Sequence, residues 1–371
     1  MDGRRGFEIN LSSQKKIALV IPSLNVGGME RVMSELASYF SKFNQVEVHL
    51  VMYGKAPELF YTIPKSIIIH KPNIKFNNQL RIISTIRRFL YLRKEIKRIH
   101  PNSILSFGEY WNSFVLMALW GTKHPVFVSD RCQPDKSLGK IHDRLRRYLY
   151  PLAKGVIVQT TRAAEIYQNL IPKANIQIIG NPIKSFQPNN KVKKDNIVLT
   201  IGRLIKTKHH DRLISIFVGL NAPEWKLVII GGNALNQNNE TLLRKTIIDL
   251  NLQDKIILTG SIKHIDEYYQ KSKIFALTSS SEGFPNVIGE ALSAGLPVVA
   301  YDCVAGPSDM INNGRNGFLI PVFDDEQFRE KLQLLVDDQN LREELGNAGI
   351  LSIPKFSNEN IGKQFFSLLT Q

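Results

Sequence analysis

The 371-residue chain contains only two cysteines, Cys132 and Cys303. They are far apart and lack a metal-type spacing, which argues against a disulfide framework and favours a reducing compartment. Long apolar runs are also missing, because the longest, residues 114–120, is much shorter than the roughly 18 residues of a membrane-spanning helix. The opening MDGRRGFEINLSSQKK has no apolar core typical of a secretory signal. We therefore expect a cytoplasmic protein.

Several catalytic and binding motifs are absent as well. There is no Walker loop and no GxGxxG pattern, which disfavours kinases, ATPases and dehydrogenases. The chain has no Asp-x-Asp pair, no HExxH and no His/Cys cluster at ligand spacing, so the sequence gives no sign of a metal site. No helix-turn-helix, zinc or RNA-recognition signature is present, and we rank nucleic acid low as a partner.

Positive charge is present in excess, and it is unevenly distributed. Residues 1–185 carry 28 Lys and Arg against 12 Asp and Glu, a net charge of +16. The remainder carries 20 against 21, a net charge of −1. This asymmetry indicates that the first half faces an anionic partner, which could be nucleic acid, a phospholipid surface or a phosphorylated substrate.

Short β-branched runs alternate with helix-length amphipathic stretches along the whole chain. This pattern is typical of parallel sheets covered by helices on both faces, and it predicts an α/β protein with two doubly wound, Rossmann-like domains. A polar stretch with two prolines, residues 180–196, separates the two series and reads as a linker. A ligand cleft between the domains is then expected. The predicted strands are 17–21, 46–51, 103–107, 126–129, 156–159, 176–179, 197–201, 227–230, 256–258, 274–277, 298–300 and 318–320.

Two loops that follow predicted strands could bind phosphate. In IPSLNVGGMERV, Gly27 and Gly28 would let backbone N–H groups approach a phosphate at a helix start, although a plain strand-to-helix turn has the same sequence. In LTIGRLIKTKHHDRLI, Arg203 and Lys208 could neutralise a departing diphosphate, and the alternative is a solvated basic turn.

The stretch SSSEGFPNVIGEALSAGLPVVA carries two glutamates eight residues apart. Its loop and the following helix start can present the amides of Gly283, Phe284 and Asn286 to an anion. Glu282 precedes this turn and Glu290 lies about one turn inside the helix. Carboxylates beside a phosphate site suit the neutral hydroxyls of a sugar or ribose, unless the two are chance surface glutamates.

This stretch resembles the E-x7-E signature of the family-4 retaining glycosyltransferases, which have the two-domain GT-B fold. GGMER resembles the N-terminal glycine loop of that family, GRLIKTK its diphosphate-binding loop, and GPSDMINNGRNGFLIP its usual sequel. Together the motifs span nearly the whole chain. The resemblance implies an acceptor-binding domain over residues 1–182, a nucleotide-sugar domain over 183–355, and a C-terminal helix, 356–371, that packs back on the first domain.

Carried over to this sequence, the resemblance implies a role for each motif residue. Arg203 and Lys208 would hold the diphosphate of a nucleotide sugar, Glu290 would bind the ribose, and Glu282 would bind the transferred sugar without acting as a covalent nucleophile. No metal and no cofactor would be required. The glycine loop, Gly27 and Gly28, would belong to the donor site, and the distal phosphate would be held by the amides of Gly283, Phe284 and Asn286.

The sequence departs from the family on the acceptor side. Where many relatives have a histidine after the fourth strand, this chain reads SFGEYWNS, so Ser106, Gly108 or Glu109 would have to serve. His209 stands where glycine is common. VSDRCQPDK resembles a segment of bacterial members that act on lipid-linked glycans, which makes Arg131 a candidate contact for the acceptor or the sugar. A structural arginine at a strand end is an equal alternative.

Two basic amphipathic segments, residues 81–100 and 136–150, account for much of the charge in the first half. Such helices can lie on an anionic membrane, where each basic group contributes about 1 kcal/mol, or can turn their basic face to solvent. A polyprenyl-diphosphate-linked glycan would supply both a membrane and an anion.

We therefore predict a retaining hexosamine or hexose transferase that uses a UDP-sugar and a polyprenyl-diphosphate-linked glycan at the cytoplasmic face of a membrane. A GT-B nucleotide-sugar epimerase is the alternative enzyme, and a basic nucleic-acid-binding protein is the lower-ranked one.

Overall fold

The computed structural model describes residues 14–25, 27–54, 59–73, 79–186, 192–234 and 237–371, and all structural statements concern these residues. They form two α/β domains, each with a parallel sheet and flanking helices, as the alternating sequence pattern predicts. Both cysteines are free. None of the helices in this part of the chain is both long and apolar enough to cross a membrane.

The first domain is built on seven parallel strands in the spatial order 3-2-1-4-5-6-7. The strands are β1 (Lys15–Ile21), β2 (Val46–Met52), β3 (Ile68–His70), β4 (Ser103–Phe107), β5 (Val126–Ser129), β6 (Gly155–Val158) and β7 (Ile176–Ile178). The helices between them are α1 (Gly28–Phe40), α2 (Arg81–Ile99), α3 (Glu109–Leu119), α4 (Lys140–Leu149) and α5 (Thr161–Leu170).

The central strand of this sheet is buried on both faces. Because successive side chains of a strand point to opposite faces, Ile17 and Leu19 join the core on the side of α1, while Ala18 and Val20 join the core on the side of α2 and α3. This explains why β1 is an uninterrupted apolar run rather than an alternating one.

The second domain has six parallel strands in the order 10-9-8-11-12-13. They are β8 (Ile197–Ile201), β9 (Lys226–Ile230), β10 (Ile256–Gly260), β11 (Ile274–Leu277), β12 (Val298–Tyr301) and β13 (Gly317–Ile320). Its helices are α6 (His210–Val218), α7 (Asn239–Asp249), α8 (Asp266–Lys271), α9 (Asn286–Ser293), α10 (Pro307–Met310), α11 (Asp325–Asp337) and α12 (Gln339–Ser352).

A last helix, α13 (Asn358–Thr370), returns to the first domain. Its Phe365 is fully buried in the core shared by α1 and the first sheet. Gly362 lies so close to α1 that a Cβ there would come within 2.5 Å of the Tyr39 ring. The chain therefore crosses between the domains twice.

The strand orders place a ligand cleft at a definite position. The order of the first sheet reverses between β1 and β4, and that of the second between β8 and β11. In doubly wound sheets, ligands bind beyond the carboxyl ends of the strands at this switch point. The loops that follow β1, β8 and β11 contain Gly27, Arg203 and Glu282, and Glu109 begins the helix that follows β4.

The twelve strands predicted from the sequence are all present, with ends that differ by at most two residues. The additional strand β3 was missed, because it has only three residues and lies at the sheet edge between lysine- and proline-containing segments. Part of the predicted linker, residues 187–191, lies outside the described residues.

Candidate active site between the two domains

A cation and a carboxylate meet at the switch point of the second sheet. Lys208 lies at the end of a short 3-10 helix after β8, and its Nζ is 2.5 Å from Oε1 of Glu282 in the loop after β11. Their side chains are only 14% and 12% exposed. The two loops are held together because Thr278 Oγ1 donates to the Lys208 carbonyl (3.0 Å) and the Ser280 amide donates to the Thr207 carbonyl (2.9 Å).

The backbone explains the departure at His209. This residue has φ 48°, a left-handed conformation that glycine adopts without strain and that other residues adopt less readily. Its ring compensates with local contacts, because Nε2 lies 2.8 Å from Ser280 Oγ and the ring packs edge-on against Phe323. The next residue, His210, is buried beneath this loop, and burial together with the charge of Lys208 lowers its pKa to about 4.

The loop after β11 also contacts the first domain. A Cβ on Gly283 would come within 2.8 Å of the carbonyl carbon of Cys132, so only glycine allows this approach. Beside it, Ser281 Oγ donates to Gln133 Oε1 across the cleft. The segment that carries Glu282 is therefore fixed by both domains.

The start of α9 is already partly hydrogen-bonded in the free protein. The Asn286 amide donates to the Phe284 carbonyl (2.9 Å), and its side-chain Oδ1 accepts from Asn181 (2.9 Å). The Phe284 ring is buried against Phe356. The Asn286 amide, which is one of those expected to bind phosphate, could do so only after its hydrogen bond to the Phe284 carbonyl is broken.

Glu290 is buried (6% exposed), and both of its oxygens have partners. Oε2 accepts from the Tyr269 hydroxyl at 2.9 Å, and Oε1 accepts from Arg31 Nη1 at 3.1 Å. Arg31 lies on α1 of the other domain, so this pair spans the cleft. Glu290 and Arg31 border an interdomain cavity of about 900 Å³.

A second cavity, of about 560 Å³, contains the candidates from the first domain together with Arg203 of the second. Gly27 and Gly28 form one side of it, and Glu109 and Arg131 line it as well. Glu109 is the first residue of α3, and burial raises the pKa of its carboxyl group. The preceding Gly108 has φ 109°, a conformation that requires glycine and that brings α3 to the cleft.

Arg131 is stacked rather than solvated. Its guanidinium carbon lies 3.9 Å from the centre of the Phe107 ring, and Nη1 donates to Asn181, whereas Nε and Nη2 are buried without a partner. Burial lowers its pKa to about 9, against the opposing effect of Asp130. An arginine with two unused donors beside a cavity suits an anion or a hydroxyl-rich ligand.

A buried polar network holds the strand end that presents Arg131. Asp130 accepts hydrogen bonds from Asn112 (2.8 Å), Tyr150 (2.5 Å) and Tyr167, and all four residues are buried. Because every one of these side chains is satisfied, the network makes the loop after β5 rigid.

The structure places the predicted residues at one cleft, and six of them line its two cavities. Lys208, Glu282, Gly283, Phe284 and Asn286 are not among the residues that line either cavity. Arg203, Gly27, Gly28, Glu109 and Arg131 border the smaller one, and Glu290 borders the larger. Three residues of the first domain that hydrogen-bond to the second domain had no role predicted from the sequence: Arg31, Gln133 and Asn181. Arg31 and Gln133 carried a signal, because they belong to the motifs GGMER and VSDRCQPDK, whereas Asn181 lies in the stretch that reads as a linker.

Two α/β domains that face a cleft, with cations and carboxylates near both switch points, are the architecture of the GT-B fold. Residues 26–185 match the family model described as Glycosyltransferase Family 4, and residues 181–351 match the one described as Glycosyl transferases group 1. The chain belongs to this family of glycosyltransferases, which confirms the predicted fold and enzyme class.

Relatives match over almost the whole chain. A Campylobacter jejuni protein named GalNAc-alpha-(1->4)-GalNAc-alpha-(1->3)-diNAcBac-PP-undecaprenol alpha-1,4-N-acetyl-D-galactosaminyltransferase is 26% identical and covers 96% of this chain and 98% of its own length. The amylovoran biosynthesis glycosyltransferase AmsD of Erwinia amylovora is 27% identical and covers 95% and 99%. The crystal structure of Anabaena HepE in complex with UDP has the same fold, with a TM-score of 0.79, 18% identity and coverage of 96% and 99%.

Proposed function

We propose that this glycosyltransferase moves a hexosamine or hexose from a UDP-sugar to a polyprenyl-diphosphate-linked glycan, with retention of configuration. The observation that carries the proposal is the pairing of Lys208 with Glu282 at the second switch point, opposite Arg131 and Glu109. The full-length likeness to a transferase whose name specifies a PP-undecaprenol acceptor supports the choice of acceptor. HepE, a structural neighbour, binds UDP, which favours a uridine nucleotide.

The donor would be gripped mainly by the second domain. Arg203 and Lys208 would neutralise the diphosphate, which requires Lys208 to turn from Glu282 to a phosphate oxygen. Glu282 is then released to accept hydrogen bonds from the transferred sugar. Because protein cations would stabilise the leaving diphosphate, we propose that the reaction needs no metal.

The acceptor would occupy the part of the smaller cavity that Glu109 and Arg131 line, while Arg203 and the glycine loop, which also line it, would hold the donor. Its hydroxyl would attack on the face from which the diphosphate departs, and a phosphate oxygen would take the proton. Glu109, whose carboxyl pKa is raised by burial, would accept or donate a hydrogen bond to a sugar hydroxyl, and the free donors of Arg131 would hold a second one. Positioning and charge stabilisation would supply most of the acceleration.

Helix α2 supports membrane association, because its first half is inverted relative to an ordinary surface helix. Ile82, Ile86 and Leu90 are 77%, 52% and 58% exposed, while Arg88 is buried. A helix that only packed on the core would show the opposite arrangement. Exposed isoleucines among arginines are the pattern of a helix that lies in a lipid headgroup layer.

Helix α4 shows the same inversion. Ile141 and Tyr148 are each 74% exposed and Arg146 is buried, while Arg144 and Arg147 face solvent. In a parallel α/β domain, the helices begin at the edge of the sheet where the strands end, so both α2 and α4 start on the cleft side. We propose that this face rests on the cytoplasmic surface of an anionic membrane and brings a lipid-linked acceptor to the cleft.

The test is a transfer assay with the intact protein. We would incubate it with a panel of UDP-sugars and a polyprenyl-diphosphate glycan extract, and analyse the lipid-linked products by mass spectrometry. Addition of one sugar from one donor is the expected result. Release of UDP without an acceptor-linked product, or a change in the UDP-sugar alone, would instead indicate hydrolysis or epimerisation and would refute the proposal.

A further inference from the structure

Arg31 is the cation of the first domain that reaches Glu290 in the second. Besides the 3.1 Å contact of Nη1 with Glu290 Oε1, its Nε lies 3.9 Å from Glu35 Oε1, one turn further along α1. Its Nη2 and the other oxygen of Glu35 are buried without a hydrogen-bond partner. Arg31 therefore sits between two carboxylates, one from each domain.

The charges around this contact do not balance without Arg31. Burial raises the pKa of Glu35, and Arg31 opposes that shift while Glu290 adds to it. Removing the cation would leave the carboxylates of Glu35 and Glu290 near each other without a cation between them, and like charges repel. The Glu290 carboxylate would then move away, or Glu35, whose pKa is already raised by burial, would bind a proton.

The hydrogen-bonding capacity of Glu290 matches what a ribose needs. Each carboxylate oxygen has two lone pairs. Arg31 uses one on Oε1 and Tyr269 uses one on Oε2, which leaves one free acceptor position on each oxygen. Two adjacent acceptor positions on a fixed carboxylate are the complement of two vicinal hydroxyls.

We infer that Arg31 is a positioning residue for the donor site, supplied by the opposite domain, which holds the Glu290 carboxylate oriented toward the ribose hydroxyls. The inference rests on the proposed function, because it takes Glu290 as the ribose-binding residue. It also means that nucleotide binding by the second domain depends on closure of the first domain over it.

The test is a double-mutant cycle measured by calorimetric titration with UDP. We expect Arg31→Met to weaken UDP binding roughly tenfold, the size of effect that loss of one charge-assisted contact produces. In a protein that already carries Glu290→Gln, the same substitution should cost almost nothing, because Arg31 acts through Glu290. Arg31→Met combined with Glu35→Gln should recover part of the affinity, because the repulsion is removed.

Two controls separate this role from a structural one. Arg31→Lys keeps the charge and should bind UDP better than Arg31→Met even if the methionine variant folds poorly. Arg329→Met, at an exposed arginine on α11, should leave binding unchanged. If Arg31→Met binds UDP as the wild type does, or loses the same factor in the Glu290→Gln background, the inference is wrong. If the wild type itself does not bind UDP, the proposed function fails and the inference fails with it.

Discussion

Substitution of Lys208 by methionine tests the proposed donor site most directly. Methionine keeps most of the apolar part of the side chain but leaves Glu282, which is 12% exposed, without its cation at 2.5 Å. Breaking a fully buried ion pair costs about 3–5 kcal/mol, and because these side chains retain some solvent contact we expect a loss of about 1–3 kcal/mol in the free energy of unfolding.

The effect on transfer should be larger than the effect on stability. Loss of one group that stabilises the departing charge lowers a rate roughly 10²–10³-fold. The assay is initial transfer to the lipid-linked acceptor at saturating UDP-sugar, together with urea unfolding. Lys206→Met is the matched control, because Lys206 lies in the same 3-10 helix and is exposed.

The double variant Lys208→Met/Glu282→Gln separates the two effects. It leaves no unpaired charge, so we expect it to recover most of the lost stability while transfer stays low. Transfer near the wild-type rate in the single variant would refute the assignment of Lys208 to the diphosphate. Equal loss of activity in Lys206→Met would show that the effect is not specific to the pair.

The remaining predictions concern the membrane face, the domain contact and pH. The double variant Ile82→Ser/Ile86→Ser should bind anionic phosphatidylglycerol vesicles at least tenfold more weakly, because about 2 kcal/mol of apolar burial is lost. Leu351→Ser, on the second domain, should bind them as the wild type does. If both variants sediment equally with the vesicles, helix α2 does not dock on the membrane. Asp309 Oδ1 accepts a hydrogen bond from the first amide of α5 in the other domain (2.9 Å). Asp309→Ala should therefore weaken the contact between the two domains by about 1 kcal/mol and enlarge the radius of gyration. An unchanged X-ray scattering curve would disprove this. His210 binds a proton more weakly in the folded protein than in the unfolded chain, so the free energy of unfolding should decline as pH falls from about 6.5 toward 4. The loss should be about 2 kcal/mol at pH 5. If thermal unfolding of a His210→Phe variant shows the same pH dependence as that of the wild type, the prediction is wrong.

The sequence predicted the fold well because its signals were local. Each long strand is a β-branched run that depends on burial from both faces, and such runs are visible without knowledge of the partner strand. The edge strand Ile68–His70 escaped because two isoleucines and a histidine between lysine- and proline-containing segments carry no such signal. Its pairing with β2 is decided by the neighbouring strand rather than by its own sequence.

The sequence predicted which residues belong to each motif of the site, but not every contact between motifs. The pairing of Lys208 with Glu282 follows from two loops that leave adjacent strands, and adjacency is implied by the strand order. Arg31 and Glu290 are separated by 259 positions and belong to different domains, so their contact depends on how the domains close. The roles of Arg203, Glu109 and Arg131 in binding stay predictions, because the structure shows their place at the cleft but not their ligands.

The return of helix α13 to the first domain has a consequence for how the protein is made. Phe365 and its neighbours complete a core that also contains Phe40, which lies more than 300 positions earlier in the chain. On a translating ribosome, the first domain emerges early but keeps an open apolar groove along α1 until residues 358–370 have been synthesised. During that interval the second domain can fold independently, and the nascent first domain is the part most exposed to chaperones and to misassembly.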